Sequence, residues 1–196
     1  MTPLKKTMTS LALEAFIAQA TIRSHMQADP ADCVLSLAPL MLDLIEHAGT
    51  FLEPQHYRSS RAGYTRNLIY EAPDKSLSLY SLVWLPGQWT PVHDHGSWGV
   101  VGVIEGVLEE RSYARLSPDH GADQEIDLAR GGIVLLRHGA VTCFVPTPDH
   151  IHVTGVPTKR SRAVSLHLYG RTMSNFNVYD VEARTRRRID VVHNES

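Results

Sequence analysis

The sequence is short of cysteine, of net charge and of long apolar runs, and each shortage excludes a class of protein. Its 196 residues contain only Cys33 and Cys143, with no C-x-x-C spacing and no spacing that suggests metal ligation or nucleophilic catalysis, so we expect two reduced thiols that behave as small buried hydrophobes. The 19 basic and 21 acidic residues nearly cancel, and the basic run Arg184-Thr-Arg-Arg-Arg188 is better explained as a solvated strand or turn than as a nucleic-acid patch. No apolar run approaches the roughly 18 residues that a membrane-spanning helix needs. We therefore expect a cytoplasmic protein with no nucleic-acid or membrane partner.

Hydrophobic periodicity divides the chain into a helical beginning and a strand-rich remainder. Apolar residues recur at steps of three and four over 9–27 and 31–52, which predicts two helices. Beyond them, short runs rich in Val, Leu, Ile, Tyr and Trp alternate with Gly and Pro clusters. Nine strands are predicted, over 77–85, 99–105, 107–115, 132–137, 141–145, 151–156, 162–169, 176–181 and 188–192. We expect one all-β domain over 1–196, with a helical N-terminal extension over 1–60 and an antiparallel barrel over 61–196.

Histidine is abundant, with 11 residues, so roughly 0.6 H-x-H pairs are expected by chance and His93-Asp94-His95 alone proves little. On a strand, residues i and i+2 share a face, so His93 and His95 would converge while Asp94 faces away. The spacing around the pair is Gly87, five residues, His93-Asp94-His95, three residues, Gly99, six residues and Gly106. This frame resembles the first cupin motif at four of its five marked positions, and it has Gly99 where that motif has a metal-binding glutamate.

Two further stretches contain candidate residues whose role the spacing leaves open. PTPDHIHVTG (146–155) offers His150 and His152 as a third metal ligand. Because these two histidines share a face of a strand, the period of two cannot choose between them. In YTRNLIY (64–70), Arg66 fits either a surface charge or a buried site.

A third stretch, SLHLYG, carries a row of polar side chains. Ser165, His167 and Tyr169 alternate with apolar residues, so three hydrogen-bonding groups share one strand face while the apolar groups take the other. Such a row is costly inside a protein unless its members bond one another or form a site. The pattern therefore indicates a functional strand.

Together these residues resemble the thiol dioxygenases, the cysteine dioxygenase branch of the cupins, over about residues 64–169. The resemblance implies a cupin double-stranded β-helix barrel with Fe(II) as its cofactor, and a small mercapto acid and O2 as partners of the site. It assigns metal binding to His93, His95 and His152, catalysis to Tyr169, His167 and Ser165, and substrate binding to Arg66 and Tyr64. It prefers His152 to His150 because Ser165 follows His152 at the spacing found in that family.

Two departures from the family pattern bear on the substrate. Seven residues after the first ligand, where mammalian cysteine dioxygenases carry a cysteine crosslinked to the active-site tyrosine, this chain has Val100 preceded by Gly99, so no such crosslink forms. Arg66 stands where bacterial 3-mercaptopropionate enzymes have glutamine. This pattern is similar to that of bacterial mercaptosuccinate dioxygenases, so 3-mercaptosuccinate is the leading substrate, with cysteine and 3-mercaptopropionate as alternatives. A second carboxylate would need a second donor, for which Arg171 and Gln88 are candidates, although either also fits a surface or turn residue.

The predicted ligand set fits a substrate that brings its own anion. Three neutral imidazoles leave a divalent metal its full charge, so a thiol, with a free pKa of about 8.5, would be deprotonated on binding. Arg66 would hold the substrate carboxylate through two parallel hydrogen bonds, and Tyr169 would donate toward bound oxygen or sulfur. Two rival functions stay open: another chemistry on the same histidines, such as zinc-dependent hydrolysis or cleavage of carbon bonds, and a non-catalytic cupin that binds a small ligand. The oligomeric state also stays open, a homo-oligomer included.

Overall fold

The helical beginning of the chain is present in the computed structural model, which describes residues 11–116, 126–146 and 150–191. It consists of α1 (Leu11–Met26), α2 (Pro30–Glu46) and two 3₁₀ turns at Ala48–Thr50 and Pro54–Tyr57. Residues 9 and 10 of the first predicted helix lie outside the described residues. The second helix ends at Glu46, short of the predicted 52, although the apolar spacing continues through Ala48 and Phe51, because the chain tightens into a 3₁₀ turn around Gly49, a poor helix former.

Strands occupy most of the remaining chain. Those in the described residues are β1 (Thr65–Glu71), β2 (Ser78–Trp84), β3 (Val92–His93), β4 (Gly99–Glu105), β5 (Val107–Arg115), β6 (Leu128–Arg137), β7 (Val141–Phe144), β8 (Ile151–Gly155), β9 (Ala163–Tyr169), β10 (Asn175–Asp180) and β11 (Thr185–Asp190). All nine predicted runs are strands, although residue 192 of the last run lies outside the described part of the chain. The nine runs do not include β1 or β3, and β3 has too few residues to show a periodic pattern.

The strands form two sheets, with the orders β1-β2-β9-β4-β7 and β11-β10-β3-β8-β5-β6. All of these strand pairs are antiparallel. The inner faces share one cluster of buried residues, to which Tyr80 and Leu82 contribute from the first sheet and Leu108 and Val178 from the second. Two sheets that close over a common interior in this way form the double-stranded β-helix of the cupins, which is the predicted fold class.

Helix α2 covers the outer face of the five-stranded sheet. The Asp29 side chain caps its start by accepting a hydrogen bond from the first turn, and Leu37 then packs in one buried cluster with Leu166 of β9. The helix approaches β4 so closely at Gly102 that a Cβ there would lie 2.7 Å from Ile45 Cγ2. Burying one leucine side chain contributes roughly 1.5–3 kcal/mol, so these contacts fix the helical segment firmly against the sheet.

Strand β9 separates the helix-covered cluster from the barrel interior, and all of its residues are buried. Leu166 and Leu168 pack with α2. His167 and Tyr169 line a cavity inside the barrel, and Ser165 is fully buried beside them. The predicted alternation of apolar and polar faces along this strand is confirmed.

Three compositional predictions can also be compared with the structure. Both cysteines are free thiols, but only Cys33 is fully buried, and Cys143 is half-buried with its Sγ 3.6 Å from the Val34 carbonyl oxygen. The basic run lies on β11 at the edge of the six-stranded sheet, where Arg187 and Arg188 are exposed to solvent, as predicted. No helix among the described residues has the length and apolar character required to cross a membrane.

Candidate active site

Three histidines meet inside the barrel. His93 lies on β3 directly opposite His152 on β8, and His95 follows two residues later. Each is only 5% exposed, and their ligand nitrogens lie within 4.8 Å of one another. The structure therefore brings together the three histidines that the sequence resemblance selected.

The loop that carries His93 and His95 is fastened to β10 on its outer side. Asp94 faces away from the two histidines, as predicted, and accepts hydrogen bonds from Asn177 Nδ2 at 2.9 Å and from the Tyr179 hydroxyl at 2.7 Å. Arg171 donates to the His95 carbonyl oxygen at 2.9 Å. These bonds hold a short, irregular segment in place, which precise convergence of side chains requires.

The contacts of the ring nitrogens indicate which nitrogen of His93 and of His152 faces the cluster. His93 Nδ1 lies 3.0 Å from the Pro91 carbonyl oxygen, which can only accept, so that nitrogen carries the proton and Nε2 is free to bind a metal. His152 Nδ1 lies 3.2 Å from a carboxylate oxygen of Glu110, and its Nε2 is buried with no hydrogen-bond partner in the described structure. His95 has a buried Nδ1 without such a partner.

The electrostatics keep this cluster in its metal-binding form. Burial is the main cause that lowers the pKa values of His93 and His95 well below the usual range, and the neighbouring histidines lower them further. Burial also lowers the pKa of His152, although Glu110 opposes the shift. Three neutral imidazoles, two of which have a buried nitrogen without a hydrogen-bond partner among the described residues, suit a divalent transition metal such as iron or zinc, so the donor set fits the implied Fe(II).

Gly99 and Phe144 explain why no carboxylate joins the three histidines. Gly99 is paired with Tyr169 on one side and with Phe144 on the other, and a Cβ at Gly99 would lie within 2.9 Å of three atoms of the Phe144 ring. That ring stacks on His95 with centroids 4.4 Å apart. The residue opposite Tyr169 is thus Gly99, whereas Val100 packs in the cluster with α2. The place that the sequence comparison assigned to a crosslinking cysteine therefore moves from Val100 to Gly99.

The polar row on β9 forms a hydrogen-bonded chain. Trp84 Nε1 lies 3.1 Å from Ser165 Oγ, Ser165 Oγ lies 2.8 Å from His167 Nε2, and His167 Nδ1 lies 3.2 Å from the Tyr169 hydroxyl oxygen. Ser165 Oγ can accept from the indole and at the same time donate to His167 Nε2, and in that arrangement His167 Nδ1 donates to the phenol oxygen. The phenol proton of Tyr169 is then left for a partner in the cavity.

Burial sets the protonation states along this chain. It lowers the pKa of His167 to about 3, with the charge of Arg66 as the second cause, so the imidazole is neutral at physiological pH. Burial also raises the pKa of Tyr169, so its phenol stays protonated. The row therefore presents a neutral hydrogen-bond donor to the cavity.

Arg66 supplies a buried positive charge on the same cavity. It is 6% exposed, its guanidinium lies 4.8 Å from the centre of the Tyr80 ring, and its Nη2 has no hydrogen-bond partner in the described residues. Tyr64 lines the cavity beside it and stacks on Trp84 at 4.5 Å between ring centres. A buried cation with an orphaned donor is costly unless an anion joins it, so this part of the cavity suits a carboxylate.

The cavity walls include most of the predicted site but neither candidate for a second carboxylate. The lining residues are Tyr64, Arg66, Leu82, Trp84, Thr90, His93, His95, Val101, Phe144, His152, Thr154, His167, Tyr169 and Met173. Arg171 is engaged with the His95 and Asn175 carbonyl oxygens outside the cavity. Gln88 accepts from the Leu85 amide and donates to the Ser60 carbonyl oxygen. Both serve as backbone anchors, and the prediction that either one contacts the substrate gains no support.

Sequence reasoning missed three residues of this site: Glu110, Phe144 and Trp84. Glu110 shares a strand face with the buried Leu108, so an inward-facing carboxylate could have been inferred from the period of two along β5. Phe144 and Trp84 looked like ordinary core residues, because their contacts with His95 and Ser165 depend on strand pairings that no local pattern shows.

The fold and the site together define a cupin with a buried three-histidine centre. A family model described as cysteine dioxygenase type I matches residues 52–182. The chain belongs to the cysteine dioxygenase type I family, whose members are iron-dependent dioxygenases.

Several solved structures are similar in fold. One is a double-stranded β-helix protein from Klebsiella pneumoniae, at 16% identity over 64% of this chain and 88% of that chain, with a TM-score of 0.45. A cupin-like protein from Thermotoga maritima matches at 13% identity over 71% of this chain and 88% of that chain, with a TM-score of 0.42. An RmlC-like cupin from Desulfovibrio desulfuricans matches at 18% identity over 58% and 88%, with a TM-score of 0.40.

Proposed function

We propose that the protein is an Fe(II)-dependent thiol dioxygenase that converts a small mercapto-carboxylic acid and O2 into the corresponding sulfinic acid. The observation that carries this proposal is the placement, on one cavity, of three neutral histidines and a buried guanidinium whose Nη2 has no hydrogen-bond partner among the described residues. One end of the cavity suits a divalent metal and the other suits a carboxylate. A molecule with both a thiol and a carboxylate would satisfy both ends.

Each group of the chain has a defined part in this reaction. His93, His95 and His152 would hold the iron, which when bound supplies a positive charge for the thiolate and redox chemistry with O2. Arg66 would hold the carboxylate through a planar fork of two hydrogen bonds and so fix the position of the sulfur. Sulfur gains both oxygen atoms and loses four electrons, which O2 accepts, so the reaction needs no external reductant.

Tyr169 would act as the hydrogen-bond donor of the cavity. In the tautomer in which Ser165 donates to His167 Nε2, His167 Nδ1 donates to the phenol oxygen and the phenol proton is free for a partner in the cavity. A donor that is oriented before the substrate arrives stabilises developing negative charge on oxygen without reorganisation. Phe144 and Trp84 line the same cavity with apolar rings that exclude water.

Among mercapto acids, 3-mercaptosuccinate is the leading substrate, with cysteine and 3-mercaptopropionate as alternatives. Arg66 would hold one carboxylate, and Tyr64, which lines the cavity beside it, offers a phenol to the second. Arg171 enters this account only as an anchor of the His95 segment. The substrate assignment rests on the resemblance of Arg66 and Gly99 to the corresponding positions of mercaptosuccinate dioxygenases.

The function is tested by oxygen uptake of the iron-loaded protein with 3-mercaptosuccinate, cysteine and 3-mercaptopropionate, followed by mass spectrometry of the products. We expect uptake that requires both Fe(II) and a mercapto acid, and a product heavier than the substrate by two oxygen atoms. A protein that consumes no oxygen with any of the three thiols would instead be a binding cupin or a cupin with another chemistry.

The substrate assignment is tested with Tyr64→Phe. We expect this change to reduce turnover of 3-mercaptosuccinate more than that of 3-mercaptopropionate, because only the former has a second carboxylate. Tyr70→Phe, on strand β1, which begins directly after Tyr64, is packed toward the helices; it is the control and should leave the preference unchanged. Equal effects of Tyr64→Phe on both substrates would remove Tyr64 from substrate selection.

A further inference from the structure

A carboxylate stands directly behind one of the three histidines. Glu110 on β5 places one carboxylate oxygen 3.2 Å from His152 Nδ1 and the other 3.8 Å from His150 Nε2. Its side chain is 15% exposed, so the charge is largely removed from water. The position follows from strand pairing, because β5 and β8 pair Glu110 with Thr154 and Ser112 with His152, which makes Glu110 and His152 diagonal neighbours.

We propose that Glu110 is a positioning residue of the metal centre, which fixes His152 with Nε2 toward the metal. From behind His152 it also supplies the negative charge that a glutamate in place of Gly99 would supply by direct contact. This inference rests on the proposed three-histidine metal site. The Phe144 ring fills the space beside Gly99, so a carboxylate cannot enter the inner set there without displacing it. Glu110 reaches the same centre through the imidazole of His152.

The three histidines differ in what their Nδ1 atoms contact. His152 Nδ1 faces an ionised carboxylate, His93 Nδ1 faces the neutral carbonyl of Pro91, and His95 Nδ1 has no hydrogen-bond partner in the described chain. Thr154 Oγ1 lies 3.3 Å from the same nitrogen of His152 and is a weaker alternative acceptor. Charge-assisted hydrogen bonds are about twice as strong as neutral ones, so His152 is the ligand whose tautomer and donor strength depend most on its partner.

Glu110, His150 and His152 also lie close enough together to resemble a metal site in their own right. The two sets share His152 but use opposite nitrogens of its ring, since Nδ1 faces Glu110 and Nε2 faces the other histidines. His150 stacks on Phe144 with ring centres 4.4 Å apart and an angle of 8° between the planes. In our assignment His150 supports the outer oxygen of Glu110 and binds no metal.

The inference is tested by measuring metal affinity instead of turnover. Zn(II) and Co(II) are titrated into metal-free wild type, Glu110→Gln and Glu110→Asp against a competing chelator, and the visible Co(II) spectrum is recorded. We expect Glu110→Gln to bind about 10–100-fold more weakly with an altered Co(II) spectrum, as is typical when a partner of a ligating histidine is lost. Glu110→Asp keeps the charge and should recover part of the affinity, and it replaces Glu110→Gln if the glutamine variant does not fold.

Glu109→Gln is the matched control. Glu109 is the neighbouring carboxylate on β5 and pairs with Arg111 at 2.8 Å, away from the histidines, so its loss should leave metal affinity within about twofold of wild type. Wild-type metal affinity together with an unchanged Co(II) spectrum in Glu110→Gln would overturn the role of Glu110. If Glu110→Gln does not fold, the same result in Glu110→Asp would overturn it. A loss of metal binding in His150→Ala as large as that in His152→Ala would also overturn it, because the metal would then lie on the Glu110 side of the ring.

His152→Ala separates this inference from the proposed function. We expect His152→Ala to abolish tight metal binding. If it binds metal as wild type does, the three-histidine site and the dioxygenase function both fail. If it loses metal while Glu110→Gln binds normally, only the role of Glu110 fails and the proposed function stands.

Discussion

Replacing Arg66 by glutamine should lower kcat/KM for the substrate without lowering the stability of the substrate-free protein. In the substrate complex, Arg66 would be one partner of a buried ion pair, and removing one partner of such a pair costs about 3–5 kcal/mol. Since about 1.4 kcal/mol corresponds to a factor of ten, kcat/KM for a mercapto acid should fall by at least about 100-fold. Glutamine is shorter and neutral, so it leaves the carboxylate without a charged partner.

Without substrate, the same replacement should not destabilise the protein. Arg66 is 6% exposed with an orphaned Nη2, and an unsatisfied buried polar group costs about 1–3 kcal/mol. The contact of its guanidinium with the Tyr80 ring returns only about 0.5–2 kcal/mol. The melting temperature of substrate-free Arg66→Gln should therefore equal that of wild type or exceed it by a few degrees, at about 2–4 °C for each kcal/mol.

Both parts are measured on one protein preparation. Oxygen uptake is recorded with 3-mercaptopropionate and with 2-mercaptoethanol, which lacks the carboxylate, and unfolding is followed by calorimetry without thiol. Wild type should strongly prefer the carboxylate thiol, and the preference should nearly vanish in Arg66→Gln. If the variant keeps wild-type kcat/KM for 3-mercaptopropionate, Arg66 does not bind the carboxylate, and a large loss of stability would show that the guanidinium has a structural partner.

Three further predictions concern stability and the hydrogen-bonded row. The pKa of His167 is about 3 in the folded protein against 6.5 in an unfolded chain, so the stability that neutral His167 contributes is complete above pH 6.5 and is lost as the pH falls toward 3. The free energy of unfolding in urea should therefore depend less on pH over this interval in His167→Gln than in wild type. An unchanged pH dependence would contradict the explanation of the lowered pKa by burial. Trp84→Phe keeps the stacking on Tyr64 but removes the donor to Ser165, so kcat should fall by less than about tenfold at unchanged iron content, while Trp89→Phe, outside the cavity, should leave kcat unaltered. Gly99→Ala should lower the free energy of unfolding by about 1–3 kcal/mol, because the added Cβ overlaps the Phe144 ring. Gly132→Ala is the control and should be tolerated, because a Cβ there meets nothing within 4 Å. Equal melting temperatures of the two variants would argue against the overlap.

The parts of the fold that could be predicted from sequence are those with a repeated local pattern. The alternation along β9 predicts both the strand and which of its faces carries Ser165, His167 and Tyr169. The end of α2 and the two-residue strand β3 could not be predicted, because one depends on a local change of helix type and the other contains too few residues to show a period.

The site was predictable where a residue's own spacing carries the information, as for His93 and His95. The spacing could not choose between His150 and His152, which share a strand face, and the choice came from a family resemblance. Arg171 shows the limit of such reasoning, because its use as an anchor of the His95 carbonyl oxygen depends on a contact between residues 76 positions apart. Glu110 lay within reach, since its strand face was predictable even though its partner was not.

Helix α2 packs on the face of β9 that is turned away from the candidate active site. Leu166 and Leu168 pack in one cluster with the helix, while Ser165, His167 and Tyr169 on the same strand form the hydrogen-bonded row, so the helix supports the strand that positions the phenol. Removing the N-terminal helices would therefore expose the apolar side chains of β9 to solvent and weaken the support that positions Tyr169. Substitutions meant to raise the stability of the protein should begin at the contact between α2 and β9, on the face of the strand opposite His167 and Tyr169.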